Sequence, residues 1–100
     1  MMKILETNVF SDWLSKMKDK KGQAAILARI NRARLGNFGD YKILRSGVQE
    51  MRIAVGAGYR VYYAQIESVT YILLCGGDKS TQSKDINKAI EILNHIRGNK

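Results

Sequence analysis

One stretch of the chain, residues 48–79, alternates apolar and polar side chains on both sides of a short glycine-containing loop. Two alternating segments joined by Gly56-Ala57-Gly58 predict a β-hairpin, because successive side chains of a strand point to opposite faces of a sheet. The next segment, residues 69–75, is almost wholly apolar and predicts a central strand covered on both faces. The chain is therefore predicted to fold around a sheet, with Lys79 delivered to one end of it.

A symmetric three-residue loop would fix which hairpin residues face each other. The predicted core-facing pairs are Val55 with Tyr59, Ile53 with Val61, and Met51 with Tyr63. The other face would then carry two guanidiniums and a phenol, with Arg52 directly opposite Tyr62 and Arg60 diagonal to Arg52. Strand cations grouped in this way are either solvated or directed at a shared anion, and the pattern leaves both interpretations open.

The residues before the hairpin predict one strand, two helices and a further strand. Residues 3–6 are predicted to form an edge strand, a helix follows from Thr7 or Asn8, and a second helix spans Gln23 to about Leu35. The apolar positions expected to face the core are Val9, Phe10, Trp13, Leu14 and Met17 in the first helix and Ile26, Leu27, Ile30 and Ala33 in the second. Residues 41–44 start the antiparallel run of strands.

A last helix is predicted after the hydroxyl-bearing caps Ser80, Thr81 and Ser83, with its apolar stripe closing one core face or left for a partner. The stripe comprises Ile86, Ala89, Ile90, Leu93 and Ile96. These elements describe a single domain of residues 1–100 with an α+β fold. Its predicted parts are an antiparallel sheet of four or five strands, an N-terminal helical hairpin and a C-terminal helix.

Composition narrows the classes of function. Seventeen Lys and Arg against nine Asp and Glu give a net charge of +8, which favours a polyanion such as nucleic acid or an acidic protein. Arg29, Arg32 and Arg34 lie on one flank of the second helix, as a solvated face or as nucleic-acid contacts. A single cysteine, Cys75, excludes an intramolecular disulfide and a cysteine metal cluster, and no metal or other cofactor is expected. The absence of a signal-like or membrane-spanning run predicts a cytoplasmic protein.

The glycine-rich segment at residues 76–81, Gly-Gly-Asp-Lys-Ser-Thr, lacks the spacing of a nucleotide-binding P-loop, and nucleotide hydrolysis is not expected. The segment is either a turn whose amides and Lys79 hold one phosphate or a plain strand-to-helix connection. The only histidine, His95, lies near the C-terminal end of the last predicted helix, where a cation favours the helix dipole, and no Ser-His-Asp set is identified. Acyl-transfer chemistry of the triad type is therefore not predicted.

Four motifs in this order suggest a family: G-N-F-G-D-Y-K, V-Q-E-M-R-I, G-A-G-Y-R-V-Y-Y and L-L-C-G-G-D-K-S-T-Q, behind a helical hairpin that carries Trp13. Over nearly its whole length the chain resembles the HigB-like branch of the RelE/ParE toxin superfamily, the toxins of type II toxin-antitoxin modules. The resemblance implies a metal-independent endoribonuclease, an mRNA interferase that inhibits translation by cutting mRNA on the ribosome. It also implies a cognate antitoxin, expected to be a helix-turn-helix protein from the adjacent gene.

By position in these motifs, Arg60 and Lys79 are expected to stabilise transition-state charge and Arg52 to position the phosphate. The resemblance assigns Tyr62 to base stacking or proton transfer. The general base is left unassigned between Lys79 and Asp78. Two alternatives stay open: a ParE-like inhibitor of DNA gyrase on the same fold, and a non-catalytic module that binds nucleic acid or a partner helix.

Overall fold

The computed structural model describes residues 1–98; Asn99 and Lys100, the last two residues of the predicted domain, lie outside the described residues. In chain order the elements are β1 (Lys3–Glu6), α1 (Asn8–Ser15), α2 (Lys20–Arg34), β2 (Tyr41–Ile43), β3 (Gln49–Ile53), β4 (Tyr59–Glu67), β5 (Thr70–Asp78), a 3₁₀ turn (Lys79–Thr81) and α3 (Gln82–Ile96). The predicted α+β class and order of elements are confirmed.

The five strands form one sheet in the order β1-β5-β4-β3-β2. Strands β2 to β5 are consecutive and antiparallel, as predicted. Strand β1 instead runs parallel to β5, with Lys3 beside Thr70, so the sheet is mixed. A parallel pair needs a long crossover connection, and here everything from α1 to β4 supplies it. Local alternation of side chains carries no information about that direction.

Apolar side chains cover both faces of the sheet. One cluster joins α1 and α2 to the sheet and contains Phe10, Ile26, Ile30, Ala33, Met51, Ile53, Val61, Tyr63 and Leu73. The other joins α3 to the opposite face and contains Val48, Tyr62, Ala64, Leu74, Cys75, Ala89 and Leu93. The prediction that α3 closes a core face is therefore confirmed. In the second helix Leu27 was predicted to face the core, but it is 46% exposed.

The register of the hairpin differs from the predicted one by two residues. Ile53 pairs with Tyr59 and Met51 with Val61, so the connection holds five residues, 54–58, instead of three. Its Gly56 and Gly58 have φ values of 55° and 78°, which only glycine adopts readily. The core-facing side was predicted correctly, because a shift of two residues preserves the face of every side chain. The cross-strand partner of each side chain, however, differs from the predicted one.

The second helix carries an arginine that closes the loop before the sheet. Arg29 Nη1 donates to the carbonyl of Arg52 at 2.6 Å, and Nη2 donates to the carbonyls of Phe38 and Asp40 at 2.9 and 3.0 Å. Gly39, with φ of 65°, leaves room for this guanidinium, since a Cβ there would lie 2.7 Å from Nη2. Arg29 therefore belongs to the fold, whereas Arg32 and Arg34 stay exposed.

Arg29→Ala is expected to lower the free energy of unfolding by about 2–3 kcal/mol, because three carbonyls lose a charged donor. Arg32→Ala, an exposed change on the same helix, should stay within about 0.5 kcal/mol of the parent protein. Urea unfolding of both variants followed by circular dichroism measures the difference. Equal urea midpoints for the two would show that Arg29 does not hold the loop.

Candidate functional site

An open cleft of about 280 Å³ lies at one end of the sheet, where β3, β4 and the 3₁₀ turn meet. Its lining brings together three of the four predicted site residues, Arg52, Arg60 and Lys79. The remaining lining residues are Asp40, Ile53, Ala54, Gly58 and Tyr59. Three cations that are up to 27 positions apart in the sequence therefore share one concave surface.

Strand pairing explains why these cations meet. Arg52 on β3 lies directly opposite Arg60 on β4. On the other side of β4, Asp78 pairs with Tyr59, so Lys79 follows β5 at the same end of the sheet. A Cβ built on Gly58 would contact Lys79 Cβ at 3.5 Å, which shows how closely the lysine stem lies against the hairpin turn. Two neighbouring strand pairs thus define the cluster.

A buried carboxylate lies beneath the two arginines. Glu50 is 1% exposed, and its Oε1 lies 3.4 Å from Arg60 Nη1 and 3.6 Å from Arg52 Nε. Its Oε2 accepts a hydrogen bond from Gln82 Nε2 of α3 at 2.8 Å. Like charges directly opposite each other on a sheet repel, and Glu50 offsets that repulsion. Strand alternation puts Glu50 on the same face as Arg52, but Glu50 was not among the predicted site residues.

The two guanidiniums keep donors for a ligand. Each guanidinium has five N–H donors. In residues 1–98 the Nε atoms of both Arg52 and Arg60 are buried and have no hydrogen-bond acceptor, so the donors left for a ligand are those of the Nη atoms. The Arg60 side chain is 12% exposed and that of Arg52 is 40% exposed, so the first is held firmly and the second is open to the cleft. A pair of this kind is suited to a phosphate, which accepts several charge-assisted hydrogen bonds.

Tyr62, the fourth predicted site residue, does not reach the cleft. It is fully buried beneath α3, pairs with Glu50 instead of Arg52, and its hydroxyl has no acceptor in the part of the chain that the structure describes. Burial raises the pKa of its phenol far above the ordinary value, and the nearby Glu50 charge adds to the shift. The expectation of base stacking by Tyr62 is therefore wrong for this arrangement. Alternation indicated the face of Tyr62 and not the helix that covers it.

Tyr59 lines the cleft and was missed as a site residue. Its hydroxyl donates to Asp19 Oδ2 at 2.7 Å, while Asp19 Oδ1 accepts from the amide of Gly22 at 3.0 Å and caps α2. The hydrogen bonds from Gly22 and Tyr59 lower the pKa of Asp19, and the bond to Asp19 raises the pKa of Tyr59. This pair ties the wall of the cleft to the start of α2.

Asp19→Asn is expected to destabilise the protein near neutral pH and to do so less in acid. The pKa of Asp19 is lower in the folded state than its ordinary value of 3.8. Its carboxylate therefore stabilises the fold above that value, and the contribution disappears as the pH falls through the folded-state pKa. Thermal unfolding of both proteins across a pH series measures the gap. A gap in melting temperature that stays constant or widens below pH 3.8 would contradict this linkage.

Two other carboxylates lie near the cations. The Asp78 carboxylate accepts from the amide of Ser80 at 2.8 Å and from its hydroxyl at 2.5 Å, and these bonds lower its pKa. The Asp78 carboxylate therefore already binds the Ser80 amide, which a phosphate-binding turn would use to bind a phosphate. Asp40 lines the cleft, and its backbone carbonyl is held by Arg29 and by the Arg52 amide at 3.0 and 2.9 Å. Sequence analysis did not single out Asp40.

The only cysteine lies in the second core cluster. Burial raises the pKa of the Cys75 thiol to about 12, so the thiol is protonated and unreactive at neutral pH. Within residues 1–98 no three His, Cys, Asp or Glu side chains are arranged to bind a metal ion. None of the helices in this part of the chain is both long enough and apolar enough to cross a bilayer.

The chain is similar to one bacterial protein and to one protein family. An uncharacterized protein of Haemophilus influenzae is 52% identical over 88 residues, which cover 88% of this chain and 89% of that protein. The family model described as phage derived protein Gp49-like (DUF891) matches residues 12–94, a span that contains all three cations of the cleft. The chain therefore belongs to the phage-derived Gp49-like family, a RelE/HigB-like family of toxins from toxin-antitoxin systems, which implies a cognate antitoxin as partner.

Proposed function

We propose that this protein is a HigB-like toxin that cuts messenger RNA on the ribosome and so inhibits translation. The observation that carries the proposal is the convergence of Arg52, Arg60 and Lys79 in one cleft. For a gyrase inhibitor the cluster would be incidental, and a passive nucleic-acid-binding module needs cations but not three of them in one cleft. The net charge of +8 adds a general attraction for RNA, which steers the substrate to the protein without selecting a sequence.

The proposed reaction is not a redox reaction and proceeds without a metal. It requires a proton acceptor, a proton donor and positive charge near the phosphate. The ribose 2′-oxygen attacks the adjacent phosphorus, the bond from phosphorus to the 5′-oxygen breaks, and the products are a 2′,3′-cyclic phosphate and a 5′-hydroxyl. Negative charge grows on the non-bridging oxygens in the transition state, where preorganised donors act most strongly. Arg60 and Lys79 take this role, and Arg52 positions the phosphate.

The proton of the 2′-hydroxyl requires a base within hydrogen-bond reach. Asp40 is the carboxylate among the residues that line the cleft, and its backbone carbonyl accepts hydrogen bonds from the Arg29 side chain and the Arg52 amide. Asp78 is a weaker candidate, because its oxygens already bind Ser80. We assign Asp40 as the base and the Lys79 ammonium as the donor to the leaving 5′-oxygen, which balances the two proton transfers.

The proposal is tested by adding the purified protein to a translation reaction programmed with one defined mRNA. We expect synthesis to stop and primer extension to show cuts in the translated region. The same preparation is assayed for inhibition of DNA supercoiling by gyrase. Intact mRNA together with blocked supercoiling would replace the proposal by the gyrase alternative. Salt-dependent RNA binding without any product would identify a non-catalytic module.

A further inference from the structure

We propose that Glu50 is a positioning residue that holds Arg52 and Arg60 in the orientation that the reaction requires. The inference rests on the proposed function for its kinetic consequences, although its structural part stands without it. Glu50 does not line the cleft and so does not touch the substrate; it acts only through the two arginines.

The geometry places one oxygen between two guanidiniums. Glu50 Oε1 lies 3.4 Å from Arg60 Nη1 and 3.6 Å from Arg52 Nε, and the two arginines are direct cross-strand partners. The other oxygen is fixed by Gln82 at 2.8 Å, so the carboxylate cannot turn to favour one arginine. With 1% exposure, Glu50 is also shielded from water that would weaken these interactions.

Glu50 weakens the attraction of the cleft for an anion but orients the two arginines. Without the carboxylate, the cleft would carry one more net positive charge and would attract an anion more strongly. With the Glu50 carboxylate in place, one nitrogen of each guanidinium is held toward Glu50, and the remaining donors point to the cleft. Interactions that are oriented for the transition state raise the turnover rate, whereas uniform attraction only tightens binding. Glu50 should therefore support turnover at the expense of affinity.

Glu50→Gln separates these two effects, because glutamine keeps the volume and an acceptor for Gln82 but removes the charge. We expect kcat to fall by about 10-fold or more, since misplaced groups lose up to about 100-fold. The dissociation constant for a single-stranded RNA oligonucleotide should stay equal or tighten. Glu67→Gln makes the same charge change at an exposed position of β4 and should leave kcat unchanged. A variant that is merely misfolded would lose affinity as well as rate.

A second readout does not depend on nuclease activity. In ¹⁵N NMR spectra of the arginine side chains, hindered guanidinium rotation should be visible for Arg60 in the parent protein and lost in Glu50→Gln. If that variant does not fold, Gln82→Ala provides the test, because it frees the second carboxylate oxygen and should mobilise Arg60 to a smaller extent. Unchanged Arg60 signals, or an unchanged kcat, would overturn the role of Glu50. A parent protein without cleavage, but with the Arg60 change in Glu50→Gln, would refute the nuclease and keep the positioning role.

Discussion

Arg60→Ala is expected to lower the rate of mRNA cleavage by about 100-fold or more. Removing one preorganised donor to a developing oxyanion costs about 10²–10³ in rate, and Arg60 is the more firmly held of the two guanidiniums. The measurement is a time course of cleavage at a single mapped site on translating ribosomes. The variant should still fold, because Glu50 keeps Arg52 and Gln82 as partners.

Two further variants serve as controls for Arg60→Ala. Arg34→Ala removes the same charge from the exposed end of α2, where Nη1 donates to the Asn31 side chain, and it should cleave like the parent protein. Arg60→Lys keeps the charge but loses the planar set of donors, so it should recover only part of the rate. Equal rates for Arg60→Ala and Arg34→Ala would remove Arg60 from the chemistry and leave only its general contribution to charge.

Gly76→Ala is expected to lower the free energy of unfolding by about 2–3 kcal/mol, which corresponds to a fall in melting temperature of roughly 10–20 °C for a domain of this size. A Cβ at this position would lie within 2.6 Å of three ring carbons of Trp13. The strand cannot move away, because Gly76 pairs with Val61 in the middle of the sheet. Thermal unfolding by circular dichroism or calorimetry measures the effect.

A double-mutant cycle identifies the clash as the cause. Trp13→Leu alone should destabilise the protein by creating a cavity, yet in combination with Gly76→Ala it should relieve the overlap. We therefore expect the double variant to lose clearly less than the sum of the two single losses. Strictly additive losses would mean that the alanine acts through the strand itself and not through the indole ring.

Gly76 and Gly77 have a different role in the structure from the one that their motif suggested. Gly76 and Gly77 suggested a phosphate-binding turn, but both lie inside β5, paired with Val61 and Arg60. Gly76 admits Trp13 on one face, and Gly77 admits the Asp85 side chain on the other. Glycine is required at these two positions because of side chains elsewhere in the chain. Trp13 lies more than 60 positions before Gly76, and Asp85 lies eight positions after Gly77. No local pattern reports such contacts.

Much of the fold followed from periodicity alone. The bounds of β1, the start of α1 and the antiparallel run of β2 to β5 were predicted correctly, because each depends on local alternation or capping. Thr7, for example, does cap α1, with its hydroxyl accepting from the amide of Phe10 at 3.0 Å. The direction of β1 and the register of the hairpin depend on long-range packing and on the length of the connecting loop, and both differed from the expectation.

The candidate site was predictable to the extent that its residues lie on strands. Arg52 and Arg60 share a face by alternation, and Lys79 follows the third strand, so their meeting could be expected from the sequence. The contributions of Glu50, Tyr59 and Asp40 could not, since they depend on which strand positions face each other and on how the loop before β2 is held by Arg29. Tyr62 was misassigned because α3 covers it.

The chemistry of the cleaved ends tests the central claim most directly. An mRNA with one mapped cleavage site is incubated with the protein on translating ribosomes, and a matched mRNA carries a single 2′-deoxyribose on the 5′ side of the scissile phosphate. The proposed attack of the ribose 2′-oxygen on a phosphate bound by Arg52, Arg60 and Lys79 predicts a 2′,3′-cyclic phosphate and a 5′-hydroxyl from the first mRNA and no cut at that site in the second. Cleavage of the deoxy-substituted mRNA, or the absence of cleavage in both, would contradict it.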